Sequence, residues 1–205
     1  MRRRTRLLIA SYALLLTLVG GTRMASATFW GGSWPYNHNS NSQQLLYLPY
    51  GDYTGGDTNI SSLVGGAAQE WVNAAAPPDL YNSSSYVFYL DLNGYIPDGT
   101  SYGYTFINNG NAANQNCGSP CGGPAFTTAH ITFSTSRMDS CTSACRQSIV
   151  AHEMGHVIGL GHADGTNCYS LMVHLVNSAP SPAPYDVYDE NLLYPNTHYP
   201  LTPAC

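Results

Sequence analysis

An α+β domain built on a twisted mixed sheet with two long helices is the fold this sequence predicts, and three observations carry it. A helix-period run at residues 60–75 stops at two prolines. Short strand-like runs follow, separated by Asn-Gly and Pro-Asp-Gly turns. A second helical run from about residue 143 leads into a proline-rich stretch and a short last helix. The order strand, helix, several strands, helix, loop, helix shows no internal repeat, so one domain is expected and not a repeat array.

Taken in order, residues 1–27 (MRRRTRLLIASYALLLTLVGGTRMASA) open with clustered arginines, continue with a leucine-rich run and close on Ala25-Ser26-Ala27. That pattern predicts a cleaved signal peptide and a secreted, extracellular protein. A retained membrane anchor is the rival, but Ser11, Tyr12 and Thr17 interrupt the apolar run. Arg3-Arg4 also fits a twin-arginine export signal loosely, and either route ends outside the cytoplasm. The remaining 28–205 is long enough for one domain with a real core. It begins with an extended segment holding one strand-like run, Gln44 to Tyr50. Ile60, Leu63, Val64, Ala67, Ala68, Trp71, Val72 and Ala75 then share one helical face, with Asp57 or Thr58 as N-cap and Pro77-Pro78 as the stop. Strands are expected at Tyr86 to Leu92, Tyr102 to Ile107 and about His130 to Ser134, with residues 108–124 as a loop. The second helix runs from about Ser143 through Ile149 and Val150. A short helix is expected at Asp186 to Tyr194, after Pro180, Pro182 and Pro184.

Cleavage would also change the charge. Five of the seven basic residues leave with residues 1–27, so Arg137 and Arg146 face twelve acids, a net charge of −10. With no lysine and no basic cluster, neither nucleic acid nor a stable association with an anionic membrane is expected, and the chain reads as a monomer. Six cysteines (Cys117, Cys121, Cys141, Cys145, Cys168, Cys205) in an exported chain imply disulfides, with a four-cysteine zinc site from the two C-x-x-x-C pairs as the alternative. In a regular helix the Cβ atoms of Cys141 and Cys145 would lie roughly 6 Å apart, too far for a disulfide. Either that turn is irregular, then, or the two pair elsewhere. Asn59-Ile60-Ser61 and Asn82-Ser83-Ser84 are sequons that matter only in a glycosylating host.

The chemistry is concentrated in HEMGHVIGLGH, residues 152–162. His152 and His156, four residues apart, are neighbours on one helical face, the separation at which two imidazoles can share a zinc ion. Glu153 is rotated roughly 100° from His152, where it flanks the ion and can take a proton from a water there. A straight helix would put His162 about 9 Å beyond His156 and roughly 120° off that face. Gly159 removes this obstacle: glycine adopts left-handed backbone angles readily and commonly follows a helix end, so the chain can turn back and deliver His162 as a third ligand. Gly161 adds freedom to the return. With average residue usage, this full pattern arises by chance in about one chain of this length in 10⁵.

His152-Glu153-x-x-His156-x-x-Gly159-x-x-His162 resembles the extended zinc signature of the metzincin metalloproteases, and is most similar to the matrixin branch. The resemblance implies that Met172, ten residues past His162, is the methionine turn beneath the metal. It also implies that the first helix backs the sheet, that Tyr102 to Ile107 is the substrate-binding edge strand, and that Asp186 to Tyr194 is the C-terminal helix. His174 stands where astacin-like relatives carry a tyrosine near the metal, and could polarise a substrate carbonyl or face solvent. The chain departs from matrixins in having Ala163 after the third histidine, Val173-His174-Leu175-Val176 after the methionine, and only His130 near the place of a structural zinc set. One catalytic Zn²⁺ is therefore expected. No cysteine precedes Cys117 to act as a thiol latch.

On this reading the expected activity is secreted, zinc-dependent hydrolysis of peptide bonds in protein or peptide substrates, with Glu153 as general base and His152, His156 and His162 as ligands. The alternatives are a zinc hydrolase acting on non-protein amides or esters, a zinc-retaining binding module without turnover, and a metal-free structural domain. Glu153 argues against the binding module, since a site that only holds a metal needs no base there. Ca²⁺ could find Asp52, Asp57, Asp91 or Asp98 in loops, but no EF-hand spacing supports it. His38, His130 and His198 read as surface or packed residues.

Overall fold

The computed structural model describes residues 34, 44–50, 60–74, 79–82, 88–91, 96, 99–113, 124–163, 169–173 and 181–194. Within them the elements are β1 (Gln44–Tyr50), α1 (Ile60–Asn73), β2 (Asp79–Asn82), β3 (Phe88–Asp91), β4 (Gly103–Ala113), β5 (Pro124–Phe133), α2 (Thr135–Asp139), α3 (Ser143–Ile158) and α4 (Pro184–Leu193). The strands form one mixed sheet in the order β2-β1-β3-β5-β4. β2, β1, β3 and β5 pair in parallel, and β4 runs antiparallel to β5 at the edge. The result is a mixed α+β domain. Among the described residues no helix is long and apolar enough to cross a membrane, and residues 1–27 lie outside them.

Alternation along β5 shows which face the core takes. Ala129, Ile131 and Phe133 are buried, and Thr105 of β4, opposite Ile131, is buried on that same face. A register shift at Asn108/Asn109 gives β5 one more residue than β4 there, so Phe126 also turns into the core, where its ring meets Trp34 edge-on at 5.8 Å. Helix α3 is central. From Ser148 to Ile158 every residue except the half-buried His152 is buried, which a helix tolerates only when it is packed on most sides. Trp71 of α1 donates its indole N–H to the Ala151 carbonyl at 2.9 Å. The last carbonyls of α3 have no partner within the helix. Trp34 Nε1 serves Val157 at 2.7 Å and the Tyr194 hydroxyl serves Ile158 at 2.6 Å. Trp34, before β1, and Tyr194, after α4, are thereby fastened to the end of the helix that carries His152 and His156.

Several expectations shift at their edges. β1 occupies the expected span, while α1 ends at Asn73, two residues short of the expected Ala75. β3 covers Phe88–Asp91 of the expected run Tyr86 to Leu92, whose other residues lie outside the described ones, and α4 begins two residues early, with Pro184 in its first turn where a missing N–H costs nothing. β4 reaches well into the expected loop, to Ala113, and β5 begins at Pro124, six residues before the expected His130, because antiparallel pairing overrides the weak strand propensity of the polar run Asn108 to Ala113. β2 and the five-residue α2 were too short to show periodicity. Cys141 precedes the helix, Thr142 is its extended N-cap, and the irregular start lets Cys141 and Cys145 form a disulfide with Cα atoms 5.5 Å apart. The other four cysteines, His38, His174, His198, Asp52, Asp57, Thr58 and Asp98 lie outside the described residues.

Helix α4 buries an unusual amount of acid. Asp186, Asp189 and Glu190 are all buried. Burial, then the neighbouring Asp186, pushes the Asp189 carboxyl up to about 7. Burial, with Asp189, Asp186 and Tyr188 adding to it, likewise pushes the Tyr185 phenol up to about 12. A carboxyl whose folded-state pKa exceeds its unfolded value contributes stability that is complete below about pH 4 and is lost as pH rises through about 7. Asp189→Asn removes that ionisation. The melting temperature of the wild type is expected to fall more between pH 5 and pH 8 than that of the variant; parallel profiles by calorimetry would contradict this account.

Candidate metal centre

Helix α3 ends because Gly159 takes φ 119 and ψ 5, the left-handed conformation. Its N–H reaches the His156 carbonyl at 3.0 Å, and Leu160 N–H reaches the Gly155 carbonyl at 3.0 Å, the paired bonds of a Schellman motif. The chain then doubles back and carries His162 to the face that holds His152 and His156. The ring centroids are 4.7 Å apart for His152 and His156, 4.7 Å for His156 and His162, and 5.3 Å for His152 and His162, nearly an equilateral triangle. Among the described residues these three bring one donor atom each to within 4.8 Å of one another.

Backbone carbonyls fix the tautomers. His152 Nδ1 lies 2.8 Å from the Leu171 carbonyl, and His156 Nδ1 lies 2.8 Å from that of Leu160. A carbonyl oxygen only accepts, so each Nδ1 carries the proton and each Nε2 presents a lone pair. His156 Nε2 and His162 Nε2 are 3.1 Å apart. Donors that share a tetrahedral zinc ion sit roughly 3.3 Å apart. Three imidazoles with one donor atom each within 4.8 Å of the others, and one pair at 3.1 Å, fit Zn²⁺, with His152 and His162 half-exposed so that the site opens to solvent.

Glu153, the next residue and about 100° round the helix from His152, faces the sheet. Its side chain is buried, and the Thr105 hydroxyl donates to Oε2 at 2.6 Å. Next to it, a Cβ at Gly103 would come within 2.7 Å of Glu153 Cγ, so the bare backbone of β4 makes the space in which the carboxylate lies.

Met172 is buried and its carbonyl accepts from Ala163 N–H at 2.8 Å. The buried Ala163, where matrixins usually have serine, thus joins the loop that bears His162 to the methionine. Asp186 of α4 anchors the same turn. Its carboxylate accepts from Ser170 Oγ at 2.5 Å, Leu171 N–H at 2.8 Å and Met172 N–H at 3.4 Å, and reaches back to Ala183 N–H at 2.8 Å. Burial raises its pKa, while these four bonds act to lower it. The Leu171 peptide is therefore held on both sides, its N–H by Asp186 and its carbonyl by His152.

The three histidines expected as ligands are thus brought together, with Glu153 next to His152 in the chain, and Met172 is joined through its carbonyl to the residue after His162. His130 is elsewhere, stacked on Phe106 with centroids 5.7 Å apart. Asp91 ends β3. Thr105 and Asp186 were not singled out in the sequence. A signal existed for Asp186, an acid three residues into a helix that opens with proline; none existed for Thr105.

Residues 80–171 match the dual-action HEIGH metallo-peptidase family. The matched span contains all three histidines and Glu153 and stops one residue before Met172. This chain reads HEMGH, with the buried Met154 at the isoleucine of the family's name, a swap of similar volume. The match and the convergent imidazoles together support a zinc metallopeptidase. No curated protein matches the chain. Among solved structures, the GM1 bound form of the ECX AB5 holotoxin contains a chain similar to this one, with a TM-score of 0.52 and 13% identity over 84% of this chain and 90% of that one. At that identity the likeness is one of fold alone.

Gly155 is the contact between helix and methionine turn. A Cβ there would run into Met172 Sδ and come within 2.9 Å of Trp71 Cζ2. Gly155→Ala is expected to lower stability by about 1–3 kcal/mol through overpacking, although alanine is the better helix former by about 1 kcal/mol. Urea unfolding checks this, and an unchanged or raised midpoint would contradict it.

Proposed function

We propose that residues 28–205 form a secreted, metzincin-type zinc endopeptidase, matrixin-like in its motif, that cleaves peptide bonds in protein or peptide substrates as a monomer. The observation that carries this reading is the three-imidazole tripod, with Glu153 next to His152 in the chain and bonded to the edge strand through Thr105. His152, His156 and His162 would hold the ion through Nε2, leaving a fourth position open. A Zn²⁺ ion there supplies a Lewis acid for the substrate carbonyl and lowers the pKa of water.

The rest of the chemistry falls to the chain. Glu153 accepts a proton from the attacking water and returns it to the leaving amine. Its burial against β4 excludes competing water from one side of the carboxylate. β4 pairs only with β5 among the described residues, so its outer edge offers N–H and C=O groups to an extended peptide. A substrate strand laid there runs beside the site, because Thr105 of β4 touches Glu153.

Glu153→Gln is expected to keep one zinc per chain and to lose roughly 10²–10⁴-fold in kcat on casein or an unstructured peptide. A chelator should abolish wild-type activity and added zinc restore it. Full activity in the variant, or in metal-free protein, would overturn the reading.

A further inference from the structure

We infer that Thr105 is the positioning residue for Glu153: its hydroxyl, donated from the edge strand, holds Oε2 so that the carboxylate lies over Gly103. The inference rests on the proposed peptidase function and deepens it, since it makes the strand that would dock the substrate also the strand that sets the base.

Three observations support it. The bond is short, 2.6 Å, and both partners are buried, so water does not compete for Oε2. The same hydroxyl lies 3.2 Å from the Glu153 carbonyl, which ties the strand to the helix backbone at the residue that bears the base. Gly103, two residues earlier and on the same strand face, leaves the space beside Cγ and Oε1; any side chain there would displace the carboxylate, with Oε1 2.9 Å from a Cβ at that position. A glutamate side chain has three rotatable bonds, and only its backbone end is fixed by the helix. The strand fixes the other end. Alternation along β4 explains why the two contacts are separable from docking: Gly103 and Thr105 face inward to Glu153, while Tyr104 and Phe106 face the opposite side of the sheet and the hydrogen-bonding edge remains main chain.

The test compares Thr105→Val, which keeps shape and removes the donor, with Thr105→Ser, which keeps the donor, both in the zinc-loaded full chain on one fluorogenic peptide. Thr105→Val is expected to lose about 10- to 100-fold in kcat with KM within about threefold, since a misplaced catalytic group loses rate and not substrate affinity. Thr105→Ser should recover to within about threefold of wild type, and zinc content should stay at one per chain in both. A measurement independent of turnover accompanies it: Thr105→Val should lower the melting temperature of the wild type but not that of the Glu153→Ala variant, because the contact it removes is already gone. The inference is overturned if Thr105→Val keeps wild-type kcat, if KM rises while kcat holds, if serine fails to rescue, or if the melting shift is the same in both backgrounds. If instead wild type and Glu153→Gln are equally inert on peptides, it is the peptidase reading itself that fails.

Discussion

Gly159 must adopt a left-handed backbone angle, and from that one constraint the rest of the site follows. An α-helix can align two imidazoles four residues apart, but its pitch carries any later residue away along the axis. A third donor therefore has to come from chain that has left the helix and turned back within a few residues. At φ 119, Gly159 makes that turn, and the paired bonds to the Gly155 and His156 carbonyls close the helix end as it does so. A side chain at this position would meet the steric penalty that L-residues incur there.

The tripod is then held by backbone carbonyls. Leu160, the residue after the turn, orients His156, and Leu171 of the methionine turn orients His152. These partners decide which nitrogen faces the metal, and so act on the ion without touching it. Asp186 extends the support by one more layer, since three of the four hydrogen bonds to its buried carboxylate join the start of α4 to the turn that carries Leu171 and Met172. Burying an acid is unfavourable unless its oxygens are satisfied, and here three of the donors that satisfy it belong to the turn it positions, two of them main-chain N–H groups. About 100° round α3 from His152, the sheet edge receives Glu153. The helix thus presents its metal-facing histidines to the returning loop and its acid to a strand, as the 100° step between residues 152 and 153 requires.

Much of this was legible in the sequence because it depends on short-range spacing. The i, i+4 histidines and the glycine three residues on are local constraints, and they located the histidine cluster and the reversal. The long helices were legible through apolar periodicity, and β1 through a short apolar run. What could not be read was decided by partners distant in the chain. β4 continues through Asn108 to Ala113 because β5 pairs with it, and no local preference of Asn, Gly and Ala announces that. Thr105 meets Glu153 across a separation of 48 residues, and Asp186 meets Leu171 across 15, contacts that follow only once strand register and loop path are known. The Cys141 and Cys145 pairing turned on whether the helix begins before or after Thr142, a boundary finer than periodicity can resolve.

The central claim is that three histidine nitrogens, the last delivered by the reversal at Gly159, bind one zinc ion. X-ray absorption at the zinc edge of the loaded protein measures this directly. Three imidazole nitrogens and one further light atom at about 2.0–2.1 Å are expected. Sulfur ligands near 2.3 Å, or a first shell that is unchanged when His162 is replaced by alanine, would contradict the account.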